Sequence, residues 1–160
     1  MKIKSRIQLR KSAKNKLLSE LEETFGDSFK EFKNSKFETV TIDDFKLVLI
    51  DGRKMLFSFE DRIFPTVEGA LEMDLKNNVV TVDTGAVKFV ASGADIMSPG
   101  IVEADSNIKK GDLVVIKEEA HGKPLAIGRA LVSGADMVAD SGKAIKSLHY
   151  VGDKIWKLEI

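Results

Sequence analysis

The apolar positions of this chain change period as it proceeds. Leu17, Leu18, Leu21 and Phe25 recur at helical spacing, which predicts a helix over 9–25 with Ser12 capping its start and Gly26 stopping it. Phe29 and Phe32 carry the apolar face into a second short helical piece. From Lys36 the period falls to two. Phe37, Val40 and Ile42 predict a strand, Asp43-Asp44 a polar turn, and 45–50 a second strand. Asp51-Gly52 is a two-residue hairpin signal, because a type I′ turn needs positive φ at both central positions. Residues 54–59 return as a third strand. Phe64-Pro65-Thr66 then opens a short helix, with Thr66 as its cap and Val67, Ala70 and Leu71 on one face. The polar break Lys76-Asn77-Asn78 has neither period. It predicts a boundary between domains 1–76 and 77–160, short enough that the two halves should pack together.

The second half is richer in glycine and β signals. Strands are predicted at 79–83, 101–104, 113–116 and 125–132, with a last hairpin from 147–151 and 155–160 turning at Gly152-Asp153. In that hairpin Trp156, Leu158 and Ile160 would share one face. A short helix over 86–92 should end at Gly93 in a left-handed cap. Pro99-Gly100 fits a type II turn, and His121-Gly122-Lys123-Pro124 another reversal. Gly128 inside a strand predicts a bulge or a close backbone approach. Six short strands with one or two short helices predict a small, partly closed barrel. Ser92-Gly93-Ala94-Asp95 recurs as Ser133-Gly134-Ala135-Asp136, too short an echo for a duplication and readable as two similar turns at helix boundaries.

Composition then narrows the chemistry. The chain of 160 residues is 43% hydrophobic and 31% charged, an ordinary globular balance, and its longest apolar runs are too short to span a bilayer. No secretory leader is expected. With no cysteine, disulfides, thiolate metal sites and cysteine nucleophiles are excluded. Net charge is zero, yet it is unevenly spread. Lys2, Lys4, Arg6, Arg10, Lys11, Lys14 and Lys16 precede a segment rich in Glu and Asp. That run reads either as a solvated helix face or as a phosphate-binding arm centred on Arg6, Arg10, Lys11 and Lys14. The two histidines, His121 and His149, lie in different elements, so no metal site or cofactor is expected. Phosphate-binding loops and nucleophile elbows are missing, and the paired carboxylates Asp43-Asp44 and Glu118-Glu119 fall in predicted turns. The chain is expected not to be an enzyme.

The most distinctive segment is Asp83 to Gly100, DTGAVKFVASGADIMSPG. Gly85-Ala86 between a strand and a helix would leave backbone N–H groups at the helix start, with Lys88 nearby, an arrangement able to hold a phosphate. Equally, Gly85 could only make the turn and Lys88 be a solvated surface residue.

GAVKFVASGADIMSPG (85–100) resembles the opening of a PUA domain, the RNA-binding pseudobarrel of pseudouridine synthases and archaeosine transglycosylases. KKGDLVVI (109–116), PLAIGRALV (124–132) and HYVGDKIWKLEI (149–160) follow in the order that family implies. With FPTVEGAL (64–71) ahead of it, the whole chain is similar to the malignant-T-cell-amplified-sequence and ligatin family, and the cysteine-free composition is compatible with an archaeal member. The resemblance implies an α+β protein with an N-terminal α/β domain packed on a C-terminal PUA-type β pseudobarrel. It implies a role in translation, binding tRNA at its acceptor end or ribosomal RNA on the small subunit, beside a partner with an initiation-factor-like domain. The short apolar runs and the absence of a leader and of cysteine add the expectation of a cytoplasmic protein away from any membrane. Carried over by position, the RNA-binding residues would be Thr84, Gly85, Ala86, Lys88, Met97, Ser98, Pro99, Lys146, His149 and Tyr150, with His149 and Tyr150 offering faces for unpaired bases. Two other readings stay open: a module serving an RNA-modifying enzyme in trans, and a protein-interaction adaptor that binds no RNA.

Overall fold

A computed structural model describes residues 2–43 and 45–160. Asp44 of the predicted Asp43-Asp44 turn lies outside the described residues, as does Met1. The chain divides into two compact units, one of Met1–Leu75 with Leu158–Ile160 and one of Lys76–Lys157. The last three residues therefore belong with the N-terminal unit and not with the 77–160 half.

The N-terminal unit is an antiparallel meander carrying helices. Its strands β1 (Ile3–Gln8), β2 (Phe37–Ile42), β3 (Phe45–Ile50), β4 (Arg53–Phe59) and β5 (Arg62–Pro65) lie in sequence order. Helix α1 (Lys11–Phe25) buries Leu17, Leu21 and Phe25, one residue per turn, and the Phe25 ring meets Phe64 edge-on at 5.2 Å. Each such burial stabilises by roughly 1.5–3 kcal/mol, which outweighs the few tenths lost by placing lysines at a helix start. The helix begins one residue after Arg10, so Ser12 lies inside it and caps nothing. Gly26 ends it at φ 61°, and a 3-10 helix, Gly26–Phe32, follows. Asp51 and Gly52 both take positive φ, as a type I′ hairpin requires. Glu60 and Asp61 do the same between β4 and β5 without any glycine to announce it, and this hid β5 from the sequence. The basic run was hiding β1, an edge strand paired with β2.

Helix α2 (Val67–Glu72) starts as expected. Thr66 Oγ1 accepts from the Gly69 N–H at 3.0 Å and donates to the Lys54 carbonyl. Its buried face is Val67, Gly69 and Ala70, while Leu71 is 45% exposed. Gly69 lies against the Met55 backbone so closely that no Cβ fits there.

The second unit is a six-stranded mixed sheet that nearly closes into a barrel. It comprises β6 (Val79–Val82), β7 (Ile96–Met97), β8 (Ile101–Ala104), β9 (Leu113–Glu118), β10 (Pro124–Ala130) and β11 (Lys143–Tyr150), in the order β7-β11-β10-β9-β6-β8. Only β6 and β9 run parallel. The strands at the two ends of that order, β7 and β8, are joined in the chain by a single 3-10 turn, Ser98–Gly100. Val80, Val82, Ile96, Ile101, Val114, Ile116, Ala126 and Ile145 fill the interior. At Gly128 the register shifts, and a Cβ would lie 2.8 Å from the Lys146 carbonyl and collide with Ile145.

Two expectations fail in this unit. Pro99-Gly100 is not a type II turn, since Gly100 does not have positive φ; a side chain there would instead approach the Ala86 Cβ at 3.1 Å. The final hairpin is absent. After β11, Gly152 takes φ 93° and the chain enters helix α4 (Lys154–Lys157), so Trp156, Leu158 and Ile160 do not alternate along a strand. Asp153 causes this. Its Oδ1 accepts the Trp156 N–H at 2.9 Å while its carbonyl accepts that of Lys157, an N-cap that favours helix over strand.

Candidate nucleic-acid interface

The β6-to-α3 connection and the segment that leads into β7 face each other across a cleft of about 510 Å³. On one side, the chain leaves β6 through the 3-10 turn Thr84–Ala86 and enters helix α3 (Val87–Val90). Gly93 closes that helix at φ 87°, and the returning chain supplies Ala94, Asp95, Ile96, Met97 and Pro99. Of the expected residues, Gly85, Ala86, Met97 and Pro99 line this one cleft. Phe89 joins them, 56% exposed, opposite a Met97 that is 48% exposed. Sequence reasoning missed Phe89, because a helix of four residues is too short for periodicity to tell an outward ring from an inward one. Lys88 is exposed, its Nζ 5.1 Å from the Phe89 ring centroid.

The expected phosphate pocket at the helix start is already occupied by the chain's own carboxylates. The Ala86 N–H donates to Asp83 Oδ1 at 2.8 Å, and the Thr84 N–H and hydroxyl both reach Glu119 Oε1, at 3.2 and 3.4 Å. Those amides are spent within the fold, and an anion there would meet Asp83. The cleft is instead an apolar surface with acidic edges. Asp95 Oδ1 accepts the Ser147 N–H at 2.9 Å and its Oδ2 pairs with Lys143 at 3.1 Å. The Ser147 bond, followed by Lys143 and Lys146, holds the Asp95 carboxyl below the usual range. Lys146 and Lys143 are exposed cations beside that edge.

Three of the expected residues offer little to a ligand. Ser98 is 4% exposed, its N–H bonded to the Gly142 carbonyl, because it turns inward where the barrel closes. His149 is 1% exposed and its Nδ1 lies 2.8 Å from Asp153 Oδ2. It anchors the cap of α4 and presents no stacking face. Tyr150 is half-buried against the barrel core, with its ring over Gly93. The basic run is likewise not a free arm. Arg6 grips the buried Glu38 carboxylate with two nitrogens, at 2.8 and 3.1 Å, and this bond holds the Glu38 carboxyl below its ordinary value. Lys14 donates to the Ser35 carbonyl at 2.8 Å, while Arg10 and Lys11 stay exposed. No helix among the described residues is long and apolar enough to cross a membrane.

A nearly closed mixed barrel with this cleft at its β6–α3 corner defines a PUA-domain protein, and the PUA domain family matches residues 78–151. The uncharacterized protein MJ1432 of Methanocaldococcus jannaschii is 44% identical over 99% of both chains. Translation machinery-associated protein 20 of Saccharomyces cerevisiae is 31% identical, over 80% of this chain and 75% of its own. A crystal structure of the hypothetical protein PH0734.1 from Pyrococcus horikoshii superposes with a TM-score of 0.87 at 34% identity, covering 96% of this chain and 98% of that one. The chain belongs to the family of translation machinery-associated protein 20. Domain and relatives together support an RNA-binding, translation-associated role.

Proposed function

We propose that the chain is a non-catalytic accessory factor of translation, acting in the cytoplasm, whose C-terminal cleft takes the unpaired acceptor end of a tRNA at the small ribosomal subunit. The composition of the cleft carries this reading. An exposed aromatic ring, a methionine and a proline form its open surface, carboxylates stand at its edges, and lysines lie outside them. Such a surface suits unpaired bases, which gain roughly 1–3 kcal/mol each by stacking. Asp83 and Asp95 are placed to accept base amino groups and to repel phosphates, which leaves the phosphates to Lys88, Lys143 and Lys146. The absence of catalysis is supported by where the titratable groups are used. His149 holds Asp153, His121 pairs with Glu118 in an exposed turn, Glu119 holds Thr84, and none of these side chains lines the cleft.

The test compares binding of the full chain to intact tRNA and to tRNA trimmed at its 3′ end. Phe89→Ala and Met97→Ala are each expected to weaken binding of intact tRNA by about tenfold, the equivalent of one lost stacking contact, and to leave trimmed tRNA unaffected. Equal affinity of the parent for both tRNAs would overturn acceptor-end recognition. Mass analysis of nucleosides after incubation checks the rest: any base or ribose change made by this chain alone overturns the non-catalytic reading.

A further inference from the structure

The N-terminal unit has a cleft of its own, about 410 Å³, of opposite character. It forms because the Leu9 N–H bonds to the Phe37 carbonyl at 2.8 Å, so the chain leaving β1 runs beside the chain entering β2, with the first turn of α1 alongside. Lys11, Lys14, Lys33 and Lys36 line it, and no carboxylate does. Lys14 is fixed in place by the Ser35 carbonyl and by the Phe37 ring, 5.6 Å from its Nζ. Lys36 has Glu38 at 3.8 Å, but that carboxylate is already held by Arg6. Lys11 and Lys33 are exposed and make no ion pair among the described residues. The other nearby acid, Asp51, is engaged by the Lys36 N–H. Four cations in one cleft without a counter-charge on its wall repel one another, and this costs stability unless an anion shares the space.

We propose that this cleft is a second RNA contact, independent of sequence, in which Lys11, Lys33 and Lys36 bind backbone phosphates. It rests on the RNA-binding reading of the chain and adds a site in the other unit. Lysines with the amides of Asn15 and Asn34 are the donor set that phosphate and sugar contacts draw on. The only aromatic residue on its wall, Phe37, is 1% exposed, so no base can stack there. None of the exposed large apolar side chains belongs to the cleft, which argues against insertion into a lipid surface. The division of labour follows: unpaired bases and their own phosphates at the C-terminal cleft, backbone alone here.

The probe is a blunt RNA duplex with no unpaired bases, titrated with the full chain across a salt series. The Lys11→Ala and Lys33→Ala double variant is expected to weaken binding equally for duplexes of different sequence and to lower the salt slope by about two ions, one per lost phosphate contact. The melting temperature should hold or rise slightly, since both side chains are exposed, make no ion pair among the described residues, and leave with part of the repulsion between the cleft's cations. Lys46→Ala with Lys110→Ala removes the same charge elsewhere and should leave the slope as in the parent. If the cleft and control variants behave alike, the site is overturned. It is also overturned if polyglutamate or phosphatidylserine vesicles bind to the parent as tightly as the duplex and lose that binding in the double variant. Neither failure touches the acceptor-end experiment, which reads Phe89 and Met97 with trimmed tRNA.

Discussion

The tetrapeptide Ser-Gly-Ala-Asp occurs at 92–95 and again at 133–136, and folds in two ways. In the first copy it ends a helix. Gly93 takes φ 87°, its N–H bonds to the Val90 carbonyl, and Ser92 Oγ donates to the Phe89 carbonyl. In the second copy it begins one, the 3-10 helix Gly134–Asp136, with Ser133 Oγ donating to Asp136 Oδ2 at 2.9 Å. Gly134 does not have positive φ. It is glycine because its backbone is pressed against residue 105: a Cβ would strike the Asp105 carbonyl oxygen and lie 3.0 Å from the carbonyl carbon. One glycine is thus needed for its conformation and the other for its size. The copies also differ in place, since Ala94 and Asp95 line the cleft beside α3 while the second copy lines none of it.

The largest expected effect separates these two reasons. Gly134→Ala should lower stability by about 2–3 kcal/mol in urea unfolding, the cost of overpacking against backbone that cannot swing away. The tRNA affinity of the folded fraction should stay at the parent value. A Gly134→Ala chain as stable as the parent would show that the Asp105 contact relaxes freely. Gly93→Ala should cost less, about 1–2 kcal/mol, mostly from forcing a Cβ into the left-handed region. A second part comes from the Tyr150 ring, 2.7 Å from the new Cβ, which is the far end of a side chain and can move. In a double-mutant cycle with Tyr150→Leu, only this second part should be recovered. Complete recovery would mean that the backbone angle costs nothing. Because Ala94 and Asp95 follow directly, Gly93→Ala should weaken tRNA binding as well, which Gly134→Ala should not.

The same pair marks what could be read from the sequence. Four strands of the barrel (β6, β8, β9 and β10), the Asp51-Gly52 hairpin and the Thr66 cap were legible because each rests on local chemistry: alternation, a positive-φ pair, a hydroxyl before a helix. The two-residue β7 is too short to show a period, and β11 was expected only from 147. Gly93 was legible as a cap for that reason. Gly134 was not, because nothing near it in sequence says that Asp105 will lie against it. The site divides in the same way. Gly85, Ala86, Met97 and Pro99, four of the residues the resemblance named, line one cleft. Ser98 and His149 dropped out because burial is a property of barrel closure and of the Asp153 cap, which the chain ahead of them does not announce. The phosphate pocket failed on two carboxylates, Asp83 and Glu119, the second 35 residues from the amide it holds. The basic run misled in the opposite direction: its alternation with Ile3 and Ile7, both exposed, was too weakly apolar to suggest a strand.

The smallest expected effect tests the last residue of each copy. Asp95 accepts the Ser147 N–H and pairs with Lys143, and these contacts favour its ionised form. A carboxyl whose value is depressed on folding adds stability at pH values above its unfolded value and loses that contribution as pH falls through its folded value. The contribution of Asp95 is therefore complete at neutral pH and declines once the pH drops below the ordinary aspartate value of about 3.9. Its size is under about 1 kcal/mol, because the Lys143 side chain is 52% exposed and water screens the pair. Asp95→Asn keeps an oxygen for the Ser147 N–H and replaces the charged Oδ2 with an NH2 that cannot accept from Lys143. The stability gap between parent and Asp95→Asn should be measurable at pH 7 in low salt and should close as the solution is acidified. Asp136→Asn, whose carboxylate is exposed and bonded only to Ser133 among the described residues, should stay within about 0.5 kcal/mol of the parent at neutral pH. Parallel pH profiles for parent and Asp95→Asn would mean that the pair with Lys143 adds nothing. The Ser147 bond, which asparagine preserves, would then be the whole of what Asp95 does for the fold.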